Sequence, residues 1–143
     1  MGIQIPGPRG AERVLIVDDE PVVADSLAAV FRMHGYEVRT AYSAEEAMAA
    51  FAEWRPDAAL VDVVLPGMNG VDLALVLQNS YEHCRVLLFS GCEIAGELLG
   101  RAAKMGRTFP ILAKPMHPTE VLEAVKMLLA GSPPRNEGWQ QVN

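Results

Sequence analysis

The stretch RVLIVDDE at residues 13–20 joins a short apolar run to three acidic residues. An apolar run without polar alternation is typical of a strand that is buried on both faces of a sheet. Pro21 follows at once and favours a helix start, because the first N–H groups of a helix have no partner within the helix. The stretch therefore predicts a buried strand that ends in carboxylates and leads directly into a helix.

The same alternation of strand and helix continues along the chain. Further apolar runs predict strands at residues 36–42, 58–61, 85–89 and 109–113. Helices are predicted at 21–34, 44–55, 71–78, 94–105 and 120–129. Five strands that alternate with five helices define an α/β domain with a doubly wound parallel sheet, for which we expect the order 2-1-3-4-5. The expected domain covers residues 13–130, between a flexible leader at 1–12 and a polar tail at 131–143.

Two helix starts carry capping signals. Ser43 is followed three residues later by Glu46, which predicts a capping box in which each side chain bonds the backbone of the other residue. Thr119 is the expected N-cap of the last helix. In the polar tail, Trp139 stands alone and leaves open whether it docks on a partner or on this domain's own surface.

Composition excludes several classes of protein. The chain has 143 residues, a formal net charge of −6 and a pI near 5.0, with no cluster of Lys and Arg to neutralise nucleic-acid phosphates. No apolar run reaches the length of a membrane span, and residues 1–12 lack the pattern of a signal peptide. Cys84 and Cys92 are interpreted as reduced thiols. We expect a cytoplasmic protein that binds neither membrane nor nucleic acid through these residues.

Polar residues follow four of the predicted strands. Asp18 and Asp19 follow the first strand, Asp62 the third, Ser90 the fourth and Lys114 the fifth. In an open parallel sheet, ligands bind outside the carboxyl ends of the strands, where the strand order reverses. The three carboxylates are therefore expected to converge in one crevice, where they repel one another unless a cation joins them.

Mg²⁺ is the cation that suits such a crevice, because it prefers oxygen ligands and takes further oxygens from a phosphate. An aspartate can act as a nucleophile and form an aspartyl phosphate. Lys114 supplies a compact positive charge for a phosphoryl oxygen, and Ser90 supplies a hydroxyl. The pattern predicts a magnesium-dependent phosphoryl site.

Four motifs together resemble the receiver domain of two-component response regulators, of which CheY-like proteins are the stand-alone form. They are VLIVDDE at 14–20, ALVD at 59–62 with PGMNG at 66–70, LFSG at 88–91, and LAKP at 112–115. The resemblance covers roughly residues 13–130. It implies that Asp62 is the phosphoacceptor and that Asp19, Asp62 and the backbone carbonyl of Val64 ligate Mg²⁺ directly. Asp18 would act through metal-bound water.

The resemblance also implies roles for the remaining residues and for partners. Lys114 would contact the phosphoryl group, and Ser90 would be the switch hydroxyl that moves toward it. The phosphoryl donor would be a phosphohistidine on a sensor histidine kinase or a histidine phosphotransfer protein. The chain would then signal in the cytoplasm through altered contacts with an unidentified downstream protein.

The sequence departs from the family pattern in three respects, one of which is an altered turn at residues 105–110 before the last strand. Ile111 stands three residues before Lys114, where the family usually has an aromatic residue that turns inward on activation; Phe109 lies on the same face of the strand but further along it. Val64 and Cys92 occupy the positions that tune the lifetime of the phosphoryl group. Neither side chain orients an attacking water well, so we hypothesise slow self-dephosphorylation.

Four other functions compete with the phosphoryl switch. A phosphohydrolase would need a second aspartate at position 64, where this chain has Val64, so the chain is not expected to be an enzyme. A flavodoxin-like cofactor binder would need a Gly-, Ser- or Thr-rich loop after the first strand, not carboxylates. A degenerate receiver would act as a phosphorylation-independent docking module, an alternative kept open by Ile111. The chain could also be a fragment of a longer regulator whose output domain follows Pro133.

Overall fold

A computed structural model describes residues 11–91, 100, 103–104, 109–114, 116–131 and 139–141 of the chain. Six strands lie in these ranges: β1 (Arg13–Val17), β2 (Glu37–Ala41), β3 (Ala58–Asp62), β4 (Arg85–Ser90), β5 (Pro110–Ala113) and β6 (Trp139–Gln141). The complete helices of the described ranges are α1 (Pro21–Met33), α2 (Ala44–Trp54), α3 (Gly70–Ser80) and α4 (Pro118–Leu129). Most of the helix predicted at 94–105 lies outside the described residues.

The strands form one sheet in the order β2-β1-β3-β4-β5-β6. The first five are parallel, in the predicted order 2-1-3-4-5, and β1 lies between β2 and β3 at the point where the strand order reverses. The sixth strand was not predicted. Residues 139–141, expected within a polar tail, pair antiparallel with β5 at the edge of the sheet.

Helices cover both faces of the sheet, as the apolar strands require. Alternate residues of each strand point to opposite faces, so Leu15 and Val17 of β1 pack in one core and Val14 and Ile16 in the other. The first core lies under α2 and α3, and the second lies under α1 and α4. Because both faces of the central strands are buried, the strands read as continuous apolar runs.

The helix caps differ from the predictions in two details. The Ser43 side chain caps α2 as predicted and accepts a bond from the Glu46 N–H at 3.1 Å, but the Glu46 carboxylate accepts from the Tyr42 N–H. In a standard capping box the Glu46 carboxylate would accept from the N–H of Ser43, so the observed bond lies one residue earlier in the chain. The prediction of Thr119 as the cap of the last helix is wrong: α4 begins at Pro118, and the N-cap is His117, whose ring nitrogen accepts from the Thr119 N–H.

Cys84 is buried at the start of β4, and burial, together with the nearby charge of Asp57, raises the pKa of its thiol to about 12. Because the thiolate is the reactive form, Cys84 should resist alkylation in the folded protein. In a Cys92→Ser variant, we expect iodoacetamide to modify Cys84 only after a denaturant is added. Rapid modification of the native variant at neutral pH, followed by mass spectrometry, would contradict this.

Candidate functional site

The polar residues that follow the strands meet at one edge of the sheet. Asp18 follows β1, Asp62 and Ser90 are the last residues of β3 and β4, and Lys114 follows β5. Asp18, Asp62 and Ser90 are buried, whereas Asp19 is exposed to solvent. The five predicted site residues therefore lie at the carboxyl ends of four parallel strands.

Asp62 lies at the centre of this group. One carboxylate oxygen, Oδ1, accepts a hydrogen bond from the Val64 N–H at 3.0 Å. The other, Oδ2, accepts from Lys114 Nζ at 2.8 Å. These two bonds fix the orientation of the carboxylate at the end of a fully buried strand.

Lys114 joins the two buried carboxylates. Its Nζ also donates to Asp18 Oδ2 at 3.1 Å and lies 4.9 Å from the centre of the Phe89 ring. Its backbone N–H donates to the Ser90 carbonyl at 2.9 Å, which holds the residue beside the end of β4. One ammonium group thus compensates two carboxylates, and the aromatic face adds a cation–π contact.

The acidic cluster shifts the pKa values of its members. Burial raises the pKa of Asp62, and the Asp18 charge adds to this rise, against the lowering effects of Lys114 and the Val64 N–H. Burial alone would lower the pKa of Lys114, but its hydrogen bonds to Asp62 and Asp18 and the charges of both carboxylates raise it. The lysine is therefore firmly charged, and the site favours additional positive charge near Asp62.

The three carboxylates are arranged to hold a divalent cation. Asp18, Asp19 and Asp62 each offer a carboxylate oxygen, and these oxygens lie within 4.8 Å of one another. Oxygen ligands in small number suit Mg²⁺, which retains several waters. The residues fit the ion predicted from the sequence, and the raised pKa of Asp62 is consistent with a site that lacks enough positive charge without it.

Gly70 brings the start of α3 against the end of β3. A Cβ atom built on Gly70 would lie 2.0 Å from the Asp62 carbonyl oxygen and 2.8 Å from Val63 Cα. The Gly70 N–H donates to the Val63 carbonyl at 2.7 Å. The motif at residues 66–70 contains this glycine but does not by itself indicate a contact with Asp62. The available signal was its place directly after Asn69, whose side chain caps α3 by accepting from the Asp72 N–H.

The structure also shows where most of the residues that depart from the family pattern lie. Ile111 is buried in the core under α2 and α3, and Phe109 packs in the same core, so the prediction that they share a face is confirmed. Ile111 lies beside Leu88 of β4 in the sheet. Val64 is half exposed, at 49% of its full accessibility, next to the acidic cluster. Cys92 lies outside the described residues.

The chain is a doubly wound α/β domain. Three carboxylates and a lysine lie where the strand order reverses, which is typical of proteins that bind a metal ion and a phosphoryl group there. Residues 14–126 match the family model of the response regulator receiver domain. The chain belongs to this family.

Known relatives agree in sequence and in fold. The DNA-binding response regulator MtrA of Mycolicibacterium smegmatis is 32% identical over 118 residues, which are 82% of this chain and 50% of that protein. The chain thus spans about half the length of this relative. A CheY-like receiver domain protein from Methanospirillum hungatei has a TM-score of 0.74 and 27% identity, covering 85% of this chain and 95% of that one. TrrA from Thermotoga maritima, solved in complex with Mg²⁺-BeF, has a TM-score of 0.69 and 26% identity, covering 82% and 98%.

Within the described part of the chain, no helix combines the length and the apolar character needed to cross a membrane.

Proposed function

We propose that this chain is a reversible phosphoryl switch in which Asp62 accepts the phosphoryl group in a Mg²⁺-dependent step. The observation that carries the proposal is the convergence of the Asp18, Asp19 and Asp62 carboxylates, with Lys114 Nζ bonded to two of them. Two buried carboxylates beside an exposed third do not stabilise the fold by themselves, because like charges that are shielded from water repel one another. They make a suitable receptor for a cation and a phosphoryl group.

Each residue has a chemical part in this proposal. An Asp62 carboxylate oxygen attacks phosphorus, forming an O–P bond as the donor's bond to phosphorus breaks. Lys114 leaves its direct contact with Asp62 and binds a phosphoryl oxygen, which offsets the new negative charge. The Ser90 hydroxyl donates to another phosphoryl oxygen. Asp19, Asp62 and the Val64 carbonyl would hold Mg²⁺ directly and Asp18 through a metal-bound water, and the ion would supply further charge compensation.

The proposed partners follow from this chemistry. We expect the donor to be a phosphohistidine on a sensor histidine kinase or a histidine phosphotransfer protein, and the output to be a changed contact with a downstream protein in the cytoplasm. MtrA is named as DNA-binding, but the chain covers only half of it, and residues with a net charge of −6 are unsuited to nucleic-acid phosphates. We expect no turnover of external phosphate esters, because Val64 cannot act as a general acid or base.

The proposal is tested by measuring intact mass after incubation with acetyl phosphate, with Mg²⁺ or with EDTA. We expect a gain of one phosphoryl group per chain with Mg²⁺ and none with EDTA. No gain in either condition, from a chain that binds Mg²⁺ normally, would favour the phosphorylation-independent docking module.

Val64 is expected to prolong the life of the phosphoryl group, because its apolar side chain cannot orient an attacking water. A Val64→Asn variant should lose the group several-fold faster than the wild type. The decay is followed by intact mass after the small-molecule donor is removed. Val64 is half exposed, so the substitution is expected to leave folding intact, and Val76→Asn, at a partly exposed position in α3, is the matched control. If the wild type loses its phosphoryl group as fast as the Val64→Asn variant or faster, Val64 does not prolong the life of that group.

As pH falls, Mg²⁺ binding should weaken at a higher pH than it would if Asp62 had the pKa of an ordinary aspartate. Burial raises the pKa of Asp62, and the ion competes with the proton for this carboxylate. Affinity is therefore complete above the raised pKa and is lost as pH falls through it. At neutral pH, saturation at 100 times the dissociation constant should add about 2.7 kcal/mol to the free energy of unfolding. Thermal melts with and without Mg²⁺ across pH would show this, and a pH-independent shift would contradict it.

A further inference from the structure

Phe89 lies between Lys114 and its acceptor Asp62 in the sheet. Phe89 of β4 is aligned with Asp62 at the end of β3 and with Leu112 of β5. Aligned residues of neighbouring strands point to the same face of a sheet, and Lys114 stands two residues after Leu112. Lys114 Nζ lies 2.8 Å from Asp62 Oδ2 and 4.9 Å from the centre of the Phe89 ring. The lysine side chain therefore crosses β4 over this ring to reach the carboxylate.

The Phe89 ring offers the ammonium group a partner in a site from which water is largely excluded. Phe89 is 5% exposed, and the Lys114 side chain is 23% exposed. A cation within about 6 Å of a ring centre is attracted by the negative face of the ring, and the attraction grows as the pair loses its water. The ring therefore favours the lysine conformers that keep the ammonium group beside Asp62 over those that extend into solvent.

The ring differs in chemistry from the other partners of the lysine. Asp18 and Asp62 hold Lys114 through carboxylate oxygens, and these carboxylates are also the proposed acceptor and metal ligands. A cation at the acidic cluster, or a phosphoryl group on Asp62, reduces the attraction of these oxygens for the ammonium group. Neither event alters the aromatic face. Among the described residues, Phe89 is thus the partner whose attraction for Lys114 is the same before and after phosphoryl transfer.

We propose that Phe89 is a positioning residue of the phosphoryl switch, whose ring holds the Lys114 ammonium group beside the site while Lys114 exchanges Asp62 for a phosphoryl oxygen. The inference rests on the proposed function of Asp62, and Phe89 acts through Lys114 alone. Without the ring, a smaller fraction of molecules has the lysine in place. The apparent affinity for a phosphoryl group falls in proportion to that fraction.

The test changes the charge distribution of the ring and keeps its shape. Mono-, di- and trifluorinated phenylalanine are introduced at position 89 of the full chain, because each added fluorine weakens the negative face of the ring. Beryllium fluoride with Mg²⁺ serves as the phosphoryl analogue, and its affinity is measured by titration calorimetry. We expect the affinity to fall stepwise along the series, by about fivefold in total, as for the loss of a partly desolvated cation–π contact.

A second readout follows the lysine itself. Protons that lie over the face of an aromatic ring have displaced NMR signals, so the Lys114 ε-methylene signals should be displaced in the metal-free protein and in the analogue complex. Phe89→Leu should remove the displacement and weaken analogue binding about fivefold. Phe31→Leu is the matched control, because Phe31 is buried in the same core and its ring contacts Tyr36; it should change neither readout while the chain is folded.

Three results would contradict the inference in distinguishable ways. Equal affinity for the analogue along the fluorinated series would overturn the role of Phe89 and leave the proposed function of Asp62 intact. Loss of the displaced Lys114 signals when the analogue binds would do the same, because the lysine would then leave the ring. Failure of the wild type to bind the analogue at all would overturn the proposed function and the inference together.

Discussion

Replacement of Asp62 by Asn should abolish phosphoryl uptake from acetyl phosphate. The amide has nearly the same shape as the carboxylate but lacks the anionic oxygen that attacks phosphorus. The loss should be complete within the detection limit of intact-mass measurement, because the proposal assigns the attack on phosphorus to the Asp62 carboxylate alone. This is the largest functional effect expected from any single substitution in the chain.

Unfolding would also abolish uptake, so the variant needs a stability measurement. Since burial raises the pKa of Asp62, the folded protein disfavours its charge, and the neutral amide should keep the chain folded at neutral pH in the absence of Mg²⁺. Asp25→Asn, an exposed position in α1, is the matched control and should be phosphorylated like the wild type. Residual uptake by a folded Asp62→Asn variant would show that the acceptor lies elsewhere.

Gly70→Ala should have the largest effect among substitutions that leave every polar group in place. The new methyl group would lie 2.0 Å from the Asp62 carbonyl oxygen, and that neighbour is backbone, which cannot rotate away. Either the start of α3 or the end of β3 must shift. We expect a loss of about 3 kcal/mol in the free energy of unfolding, near the upper end of the usual range for overpacking.

The same shift should reach the acidic cluster, since Asp62 is the residue against which Gly70 packs. Phosphorylation by acetyl phosphate should slow by at least about tenfold under conditions where the variant is folded, because small displacements of reacting groups have effects of this size or larger. Gly100→Ala is the control, because among the described residues a Cβ there meets no atom within 4 Å. Chemical denaturation and phosphorylation rates that match the wild type would show that the close contact has no role.

The sheet and its site could be predicted because both depend on signals within single short stretches. A strand buried on both faces, such as β3, must be apolar along its whole length, and its end is marked by the first charged residue, Asp62. Parallel strands end at a common edge, so the sequence predicts that Asp18, Asp62 and Lys114 meet there. The hydrogen bonds from Lys114 to both carboxylates confirm that convergence.

Other features depend on partners that are distant in sequence or on small differences in geometry. Pairing of β6 with β5 is a backbone interaction, and it involves residues 139–141, which the sequence places in a tail without a strand pattern. The choice of His117 over Thr119 as the cap of α4 depends on where Pro118 starts the helix. The contact between Gly70 and Asp62 depends on the path of the intervening loop, which the sequence marks only by its turn residues.

The most direct test of the central claim is to locate the phosphoryl group. After incubation of the wild type with acetyl phosphate and Mg²⁺, borohydride reduces an aspartyl phosphate to the corresponding alcohol, and peptide mass spectrometry identifies the altered residue. We expect that Asp62 alone is converted and that EDTA prevents the conversion. Conversion of a different carboxylate, or of none in a chain that has gained a phosphoryl group, would contradict it.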